Sequence, residues 1–465
     1  DYPFRAAEMT DVAVRSGFWL PRIETNRLVT IRSDFKRSEE TGRIHNFEAA
    51  GRREGKGFKG IPYDDSDVFK IIEGASYTLA THPDPELDRY LDDLIYKIAK
   101  AQEPDGYLYT ARTLGHNYGT NANGCVEYSL MGPVRWSKLV CSHELYNIGH
   151  MYEAAVAHYR ATGKRSLLDV AIRSADLVER TFGFGETQLK DPPGHEEIEL
   201  ALVKLYRLTG EEKYLELSKF FVNNRGNNEL DYVGLRDWMT ARYPQDHLPV
   251  REQTTAEGHS VRAMYLYMAM ADLAIECNDE ALFEACDRIL HNVAKKRMYI
   301  TGGIGSSHIG EAFTVDYDLK NEQAYTETCA TLALSLFCRR MTAIRPLGLY
   351  ADIAEQAMYN GSISGVSIKG DEFFYENPLT IDLADHNKNT ATKDKERYPI
   401  TQRVRVFGCS CCPPNILRYI NSIGDFLYTE DKDTLYVHHY MNSSTEFEDK
   451  KISQTTLYPS CGKVR

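Results

Sequence analysis

The sequence predicts a mainly α-helical protein, built as a closed toroid of helical hairpins and followed by a short β-rich segment. Apolar residues recur at three- and four-residue spacing along most of the chain, which is typical of helices with one buried face. A Gly or Asn that ends one helix is repeatedly followed, within a few residues, by the capped start of another. Because the hairpins diverge and long irregular inserts separate them, a closed toroid is favoured over an open solenoid, with a site built from the loops between helices.

Four helical stretches show this pattern most clearly. In chain order they are Leu87–Ala101, Leu167–Val178, Tyr214–Phe221 and Leu282–Val293. A turn rich in Pro and Asp precedes the first stretch, a Thr-Gly pair precedes the next two, and an Asn-Asp pair precedes the last. These residues favour helix ends and helix caps, so each stretch is predicted to be one helix of a hairpin.

The pattern changes after about residue 360. Alternating apolar residues predict strands, and a polar run predicts an exposed loop. The predicted strands are Val366–Tyr375, Arg403–Phe407, Leu435–Tyr440 and Thr455–Tyr458, the predicted loop is Asp385–Lys395, and Ile416–Tyr428 is predicted as one more helix. We therefore expect residues 1–432 to form the helical domain and residues 433–465 to begin a β domain. Because about thirty residues cannot bury a core of their own, this β segment is expected to be incomplete or to pack as an edge on the toroid.

Composition excludes two classes of partner. The net charge is −12, whereas a nucleic-acid-binding surface would be basic. No apolar run approaches the ~18 residues of a membrane span. The chain has 30 Tyr, a residue that suits a carbohydrate site but is also common in protein cores.

The first residue is Asp rather than Met. A chain from which a signal peptide has been removed would begin in this way, so we expect a periplasmic rather than a cytoplasmic location.

Two segments concentrate sulfur. Cys409, Cys411 and Cys412 lie in one run, and the two prolines that follow predict a shaped loop rather than an ordinary helix. Glu327 and Cys329 lie two residues apart in a second segment. With Cys411 and Cys412 they supply one carboxylate and three thiols, a plausible tetrahedral zinc set. The residues alone leave two alternatives open, a vicinal disulfide and unpaired core thiols.

A carboxylate and three histidines complete the candidate residues. Glu311 lies in the glycine-rich segment Thr301–Phe313, in which glycine permits sharp turns that can hold the carboxylate on a rigid loop. His143, His195 and His259 each lie at the start of a predicted helix that follows an irregular loop. Alternate helices of a toroid begin at the same rim, so these three side chains are expected to converge on one pocket.

Together these segments resemble the bacterial β-L-arabinofuranosidases of glycoside hydrolase family 127. Five stretches carry the resemblance. They are Asp65–Val68, Gln102–Tyr109, Gly302–Gly305, Tyr325–Cys329 and Cys409–Asn415. Their order and spacing fit the family from the first residues to about residue 440.

The resemblance implies an (α/α)6 barrel followed by β-sandwich domains, and a retaining, exo-acting hydrolase of terminal β-L-arabinofuranose in plant glycans. It implies a bacterial protein, periplasmic or cytoplasmic, that binds zinc and a carbohydrate substrate. The implied zinc ligands are Glu327, Cys329, Cys411 and Cys412; the implied nucleophile is Cys411 and the implied general acid/base is Glu311; the implied sugar-binding residues are His143, His195, His259 and Tyr375.

Three other functions are compatible with the sequence. The same fold and mechanism can act on a branched or acidic deoxy-pentose of pectic side chains. A toroid with structural zinc can bind carbohydrate without turnover. A hydrolase with two carboxylates would pair Glu311 with Asp65 or Asp67.

Overall fold

A computed structural model describes residues 2–115, 131–227, 229–233, 235–381, 400–406, 408–447 and 449–465. Within these residues helices dominate, and the strands lie near the two ends of the chain. The predicted loop Asp385–Lys395 lies outside the described residues.

Six helices of the described chain form the inner ring of a closed toroid. In chain order, and numbered accordingly as the first to sixth inner helices, they are Asp65–Thr81, Glu144–Thr162, Ile198–Thr209, Ser260–Glu276, Thr328–Ile344 and Cys412–Asn421. Each inner helix packs against the next one, and the sixth packs against the first. This cyclic contact closes the ring, and the predicted mainly α-helical toroid is confirmed.

The outer layer consists of helices that pair with the inner ones in hairpins. They are Ile31–Glu40, Arg43–Gly51, Pro85–Ala101, Ser166–Thr181, Glu212–Asn223, Glu280–Asn292 and Gly348–Gln356. Three shorter helices are Leu20–Thr25, Thr110–Thr113 and Leu139–Ser142. The four helical stretches singled out in the sequence all lie in this outer layer, where a helix buries only one face. Their periodicity is therefore the clearest in the chain.

Burial distinguishes the two layers. In the fourth inner helix every residue from Ser260 to Ala274 is buried. The outer helix Pro85–Ala101 instead buries one stripe at three- and four-residue spacing, formed by Leu91, Leu94, Ile95, Ile98 and Ala101. A helix that is buried on all sides belongs in the centre of a fold, whereas a striped helix belongs at its surface.

The hairpin turns use the caps that the sequence predicts. The Asp84 carboxylate accepts hydrogen bonds from the backbone N–H groups of Glu86 and Leu87, both at 3.1 Å. Gly163 and Gly210 end the second and third inner helices with φ angles of 72° and 74°. Glycine adopts this left-handed conformation without the steric cost that a side chain adds.

Two small antiparallel sheets join the two ends of the chain. Their strands are β1 (Arg5–Ala6), β2 (Ala13–Val14), β3 (Tyr428–Glu430), β4 (Leu435–Val437), β5 (Ser443–Phe447) and β6 (Lys450–Gln454). One sheet has the order β1-β3-β4 and the other has the order β2-β5-β6. Arg5 lies opposite Glu430, and Ala13 lies opposite Ser444. The boundary expected after residue 432 falls between β3 and β4, and this division into domains stays a prediction.

Several predicted elements near the C-terminal end differ in the structure. Val366–Tyr375 is not a continuous strand, because a turn with Gly370 at a φ angle of 82° folds the segment back on itself. Only isolated pairs remain there: Val366 bridges Phe373, which also bridges Val404 of the predicted strand Arg403–Phe407.

Three further predicted elements have different bounds. The strand predicted over Leu435–Tyr440 ends at Val437. Thr455–Tyr458 contains a single bridging residue, and the continuous strand β6 ends just before it. The helix predicted over Ile416–Tyr428 begins four residues earlier and ends at Asn421. No helix in the described ranges combines the length and the apolar character that crossing a membrane requires.

Candidate active site

The inner helices begin at one end of the ring, and the predicted site residues gather there. His143 and His259 directly precede the second and fourth inner helices, and His195 lies three residues before the third. Glu327 precedes the fifth inner helix and Cys411 precedes the sixth. Because a helix N-terminus carries a partial positive charge, this end of the ring favours anionic side chains and ligands.

Glu327, Cys329, Cys411 and Cys412 form one compact cluster. The Sγ atom of Cys329 lies 3.7 Å from that of Cys411 and 3.3 Å from that of Cys412. The Oε1 atom of Glu327 lies 3.6 Å from Cys411 Sγ and 3.7 Å from Cys412 Sγ. Cys411 is half-buried, whereas the other three side chains are buried. The structure therefore brings together all four residues that the sequence predicts as a ligand set.

These spacings fit a metal ion and not a disulfide. Two thiolates bound ~2.3 Å from a tetrahedral zinc ion lie roughly 3.8 Å apart, whereas disulfide sulfurs lie about 2.0 Å apart. The Sγ atoms of Cys411 and Cys412 are 3.9 Å apart, so the vicinal disulfide is not formed. The Oε2 atom of Glu327 is buried without a hydrogen-bond partner, as an unused ligand atom would be. The donor set thus suits a thiophilic divalent cation.

Burial and crowding determine the protonation of the cluster. Burial, followed by the nearby Cys411 thiol and Glu311 carboxyl, raises the pKa of Glu327 well above its usual range. Burial, followed by the hydrogen bonds that join its protonated thiol to those of Cys329 and Cys411, raises the pKa of Cys412 as well. Burial also opposes ionisation of Cys329, but hydrogen bonds from the Cys411 and Cys412 thiols outweigh it and lower its pKa to about 7. A bound cation would favour the ionised forms of these groups.

The Cys-Cys-Pro-Pro run starts the sixth inner helix, so the predicted loop is wrong. Cys411 is the N-cap, with φ −68° and ψ −30°, and Cys412 is the first helical residue. Pro413 and Pro414 occupy the first turn. There the backbone N–H groups have no acceptor within the helix, so proline costs no hydrogen bond. The run therefore presents two sulfurs at a rigid helix start.

Glu311 lies beside this cluster, at the end of the short 3₁₀ turn Ile309–Glu311. Its Oε2 atom lies 2.7 Å from His259 Nε2, and its Oε1 atom accepts a hydrogen bond from the Tyr325 hydroxyl at 2.6 Å. His259 Nδ1 accepts from the backbone N–H of Val261 at 3.2 Å, so neutral His259 carries its proton on Nε2 and donates to Glu311. Two donors thus stabilise the Glu311 carboxylate in one orientation.

The three predicted histidines form a row. The ring centroids of His143 and His195 are 5.3 Å apart, and those of His195 and His259 are 5.6 Å apart. Burial lowers the pKa of all three, that of His143 to about 3. After burial, the positive charge of the Arg262 guanidinium contributes most to lowering the pKa of His143 and His195. All three are therefore neutral near pH 7, and a neutral imidazole can both donate to and accept from a hydroxyl group.

Tyr375 lies next to the thiols. Its hydroxyl lies 3.4 Å from the Sγ atom of Cys411 and 3.8 Å from that of Cys409. Its backbone carbonyl accepts from the N–H of Thr328, at the start of the fifth inner helix, at 2.9 Å. Burial raises the pKa of Tyr375 well above its usual range, so its hydroxyl is a neutral donor.

The two aspartates considered as partners for Glu311 have structural contacts instead. Asp65 accepts hydrogen bonds from the backbone N–H of Thr110 at 2.9 Å and from its hydroxyl at 2.5 Å. Asp67 accepts from Arg43 Nε at 2.9 Å, with both side chains buried.

Two residues at this site have no assigned role in the sequence-based prediction. Tyr325 donates to Glu311, although its own segment was recognised for Glu327 and Cys329. Arg262 lies three residues after His259. The sequence feature that distinguishes it is that it is a single arginine inside a long apolar helix. A buried charge in such a helix requires specific partners, and this requirement could have marked it as a site residue.

The chain is similar in sequence to one family of known proteins. A family model described as the β-L-arabinofuranosidase, GH127 catalytic domain, matches residues 11–425. A curated non-reducing end β-L-arabinofuranosidase from Bifidobacterium longum subsp. longum is 37% identical over 438 residues, which cover 90% of this chain and 64% of that protein. The chain thus spans less than two thirds of that relative's length.

Solved structures give the same result. The solved structure of a GH127 β-arabinofuranosidase superposes with a TM-score of 0.89 at 43% identity. The superposition covers 100% of this chain and 69% of the solved chain. A GH127 β-L-arabinofuranosidase from Geobacillus stearothermophilus T6 superposes with a TM-score of 0.88 at 42% identity, covering 97% of this chain and 72% of its own.

Proposed function

Because the chain belongs to the GH127 β-L-arabinofuranosidase catalytic-domain family, we propose that it is a retaining, exo-acting glycoside hydrolase. Its substrate would be a terminal β-L-arabinofuranose, or a related furanose, of plant-derived glycans. One observation carries this proposal: the half-buried Cys411 thiol belongs to a four-residue ligand cluster, and the hydrogen-bonded Glu311 carboxylate lies within 4.8 Å of the cluster's Glu327 carboxylate. A thiol and a carboxylate placed in this way can replace the two carboxylates of most glycosidases.

Glu327, Cys329, Cys411 and Cys412 would hold zinc. When bound, zinc would keep the Cys411 thiol ionised at neutral pH, where a free cysteine with a pKa of ~8.5 is mostly protonated. The crowding of acidic groups in the cluster supports this assignment, because burial and acidic neighbours raise the pKa values of Glu327 and Cys412. A divalent cation relieves that crowding.

In the first step Glu311 donates its proton to the glycosidic oxygen while the Cys411 thiolate attacks the anomeric carbon. The bond from that carbon to the leaving oxygen breaks, and a carbon–sulfur bond forms. In the second step Glu311 takes a proton from water, the water oxygen attacks the anomeric carbon, and the thiolate leaves. Two inversions give overall retention. His259 and Tyr325 stabilise the carboxylate that Glu311 becomes after the first step.

Sugar binding would depend on the neutral donors and acceptors around the pocket. His143, His195 and His259 lie in one row, and Tyr375 lies beside Cys411. A furanose presents hydroxyl groups that need both donors and acceptors. Neutral imidazoles and a phenol meet this need without adding charge.

The test is release of L-arabinose from an aryl β-L-arabinofuranoside by the wild-type chain and by Cys411→Ala and Glu311→Gln variants. Cys411→Ala should abolish turnover. Glu311→Gln should lose most of the rate with a poor leaving group and much less with a highly activated one, which needs no proton. Full activity of Cys411→Ala would refute the nucleophile assignment and favour a pair of carboxylates.

Two further outcomes separate the alternatives. Release of a different sugar from pectic side-chain oligosaccharides, with no arabinose, would keep the mechanism but change the substrate. Sugar binding without any turnover, together with zinc that affects stability alone, would make the chain a carbohydrate-binding toroid.

A further inference from the structure

We propose that Arg262 is a positioning residue that fixes the three histidine-bearing loops relative to one another around the sugar pocket. The inference rests on the proposed function, because that function places His143, His195 and His259 against the substrate. Arg262 itself would touch neither the sugar nor the metal ligands. It would act through the loops.

Arg262 contacts two of these loops directly and belongs to the third. It lies in the first turn of the fourth inner helix, for which His259 is the N-cap. Its Nη1 atom donates to the backbone carbonyl of Val140 at 3.0 Å and also to that of Gly194. Val140 lies three residues before His143, and Gly194 lies immediately before His195. One guanidinium group therefore joins all three histidine positions.

The two contacted loops lie at backbone distance from each other. A Cβ atom on Gly194 would lie 2.0 Å from the carbonyl oxygen of Leu139 and 2.3 Å from the Cα of Val140. There is no room for a side chain between the loops, and hydrogen bonds at their edge hold them in this contact. Arg262 supplies two of these bonds from a single planar group.

The guanidinium is itself held from a second side. It lies over the ring of Tyr243, 4.3 Å from the centroid. The Tyr243 carbonyl accepts from the backbone N–H of His259 at 3.1 Å, and the two rings are 5.7 Å apart. Arg262 is 2% exposed, so water weakens neither its contact with the Tyr243 ring nor its hydrogen bonds to the two loops. Its geometry is thus defined by groups that themselves surround the pocket.

The charge of Arg262 has a second effect on the same histidines. After burial, it is the largest cause that lowers the pKa of His143 and of His195. The other charged groups that face these rings are Glu311, which raises the pKa of His143, and the remaining histidines of the row, which lower it if protonated. Removing the cation should therefore let the imidazoles protonate at higher pH.

The experiment compares Arg262→Met, Arg262→Lys and the control Arg340→Met. Arg340 is also buried in the ring, where its Nε atom donates to Asp272 at 3.0 Å near the far ends of the inner helices.

Arg262→Met should lower kcat/KM for an aryl β-L-arabinofuranoside by about a hundredfold and raise KM. The acid limb of the pH profile of kcat/KM should move to higher pH in this variant. Arg262→Lys should lose only about tenfold in kcat/KM and keep the wild-type acid limb, because the charge is retained. Arg340→Met should lose stability but change kcat/KM less than about twofold.

A second readout does not depend on turnover. The imidazole signals of His143 and His195, followed by NMR across pH in each variant, should titrate at higher pH in Arg262→Met and should stay unchanged in Arg340→Met. If Arg262→Met loses stability but keeps both kcat/KM and the histidine titrations, the positioning role is wrong. If the titrations move while the wild-type chain releases no arabinose, the proposed function fails and the role of Arg262 in this pocket stands.

Discussion

The hydroxyl group of Tyr375 lies 3.4 Å from the Sγ atom of Cys411. Burial raises the pKa of this phenol well above its usual range, and the neighbouring thiols add to the effect, so the hydroxyl remains protonated. It can therefore donate a hydrogen bond to a thiolate. In the proposed mechanism that thiolate first attacks and later leaves, and Tyr375 would stabilise its charge in both steps.

Replacing Tyr375 with Phe should lower kcat for an aryl β-L-arabinofuranoside by about 10- to 100-fold. A hydrogen bond to a charged group contributes about 1.5–3 kcal/mol, and each ~1.4 kcal/mol corresponds to tenfold in rate. Zinc content should stay the same, because Tyr375 supplies no ligand. Tyr96→Phe, at an exposed position, is the matched control. Equal kcat in both variants would contradict this role.

Cys409 and Cys411 allow a test within one segment. Cys411→Ala removes the proposed nucleophile and should reduce kcat to background. Cys409→Ala removes a buried thiol whose Sγ atom lies 3.8 Å from the Tyr375 hydroxyl but which is not part of the ligand cluster, and it should cost far less. Burst-phase kinetics with an activated aryl furanoside checks both variants. Comparable losses would mean that the segment acts by its shape rather than by one sulfur.

Zinc should bind at one ion per chain and should stabilise the fold. A ligand that binds only the folded state contributes about 4 kcal/mol when its concentration is a thousandfold above Kd. Chelation should therefore lower the unfolding temperature, and Cys329→Ser should lower both zinc content and that temperature. Elemental analysis and thermal unfolding measure the two effects. Cys461→Ser, at an exposed cysteine outside the cluster, should change neither.

Acid should destabilise the fold through the buried histidines. Burial lowers the pKa of His143 to about 3, whereas the unfolded value is about 6.5. Because the folded pKa is lowered, this contribution to stability is present above pH ~6.5 and is lost as the pH falls towards the folded value, by at most about 1.4 kcal/mol per pH unit. His143→Asn cannot take up this proton, so its free energy of unfolding should fall less steeply between pH 6 and pH 4. Urea unfolding at several pH values measures the slopes. Parallel slopes would show that His143 does not contribute.

The sequence predicts the toroid and the ligand cluster because both depend on local patterns. The periodicity of the outer helices reflects their single buried face, as in Pro85–Ala101. The ligand residues lie in two short segments whose residue types restrict their chemistry to few options. The convergence of the three histidines is also predictable, since each one precedes an inner helix and these helices begin at one end of the ring.

Other features depend on tertiary contacts that no local pattern shows. Pro413 and Pro414 predict a loop, but at the start of a helix their missing N–H groups need no acceptor. The link from Arg262 to Val140 spans 122 residues, and neither segment contains a motif for it. The pairing of β1 with β3 likewise joins residues from opposite ends of the chain, and β1 is only two residues long.

The order of the inner helices determines when the cluster can exist. Glu327 and Cys329 belong to the fifth inner helix and its cap, whereas Cys411 and Cys412 start the sixth, which also packs against the first. A nascent polypeptide that has left the ribosome only as far as residue 400 carries two of the four ligands. Under the proposed function, metal uptake would therefore wait until translation of the helical part is nearly complete. Under the proposed function, the docking event that closes the ring also completes the catalytic cluster, so chains that end before residue 411 would lack activity.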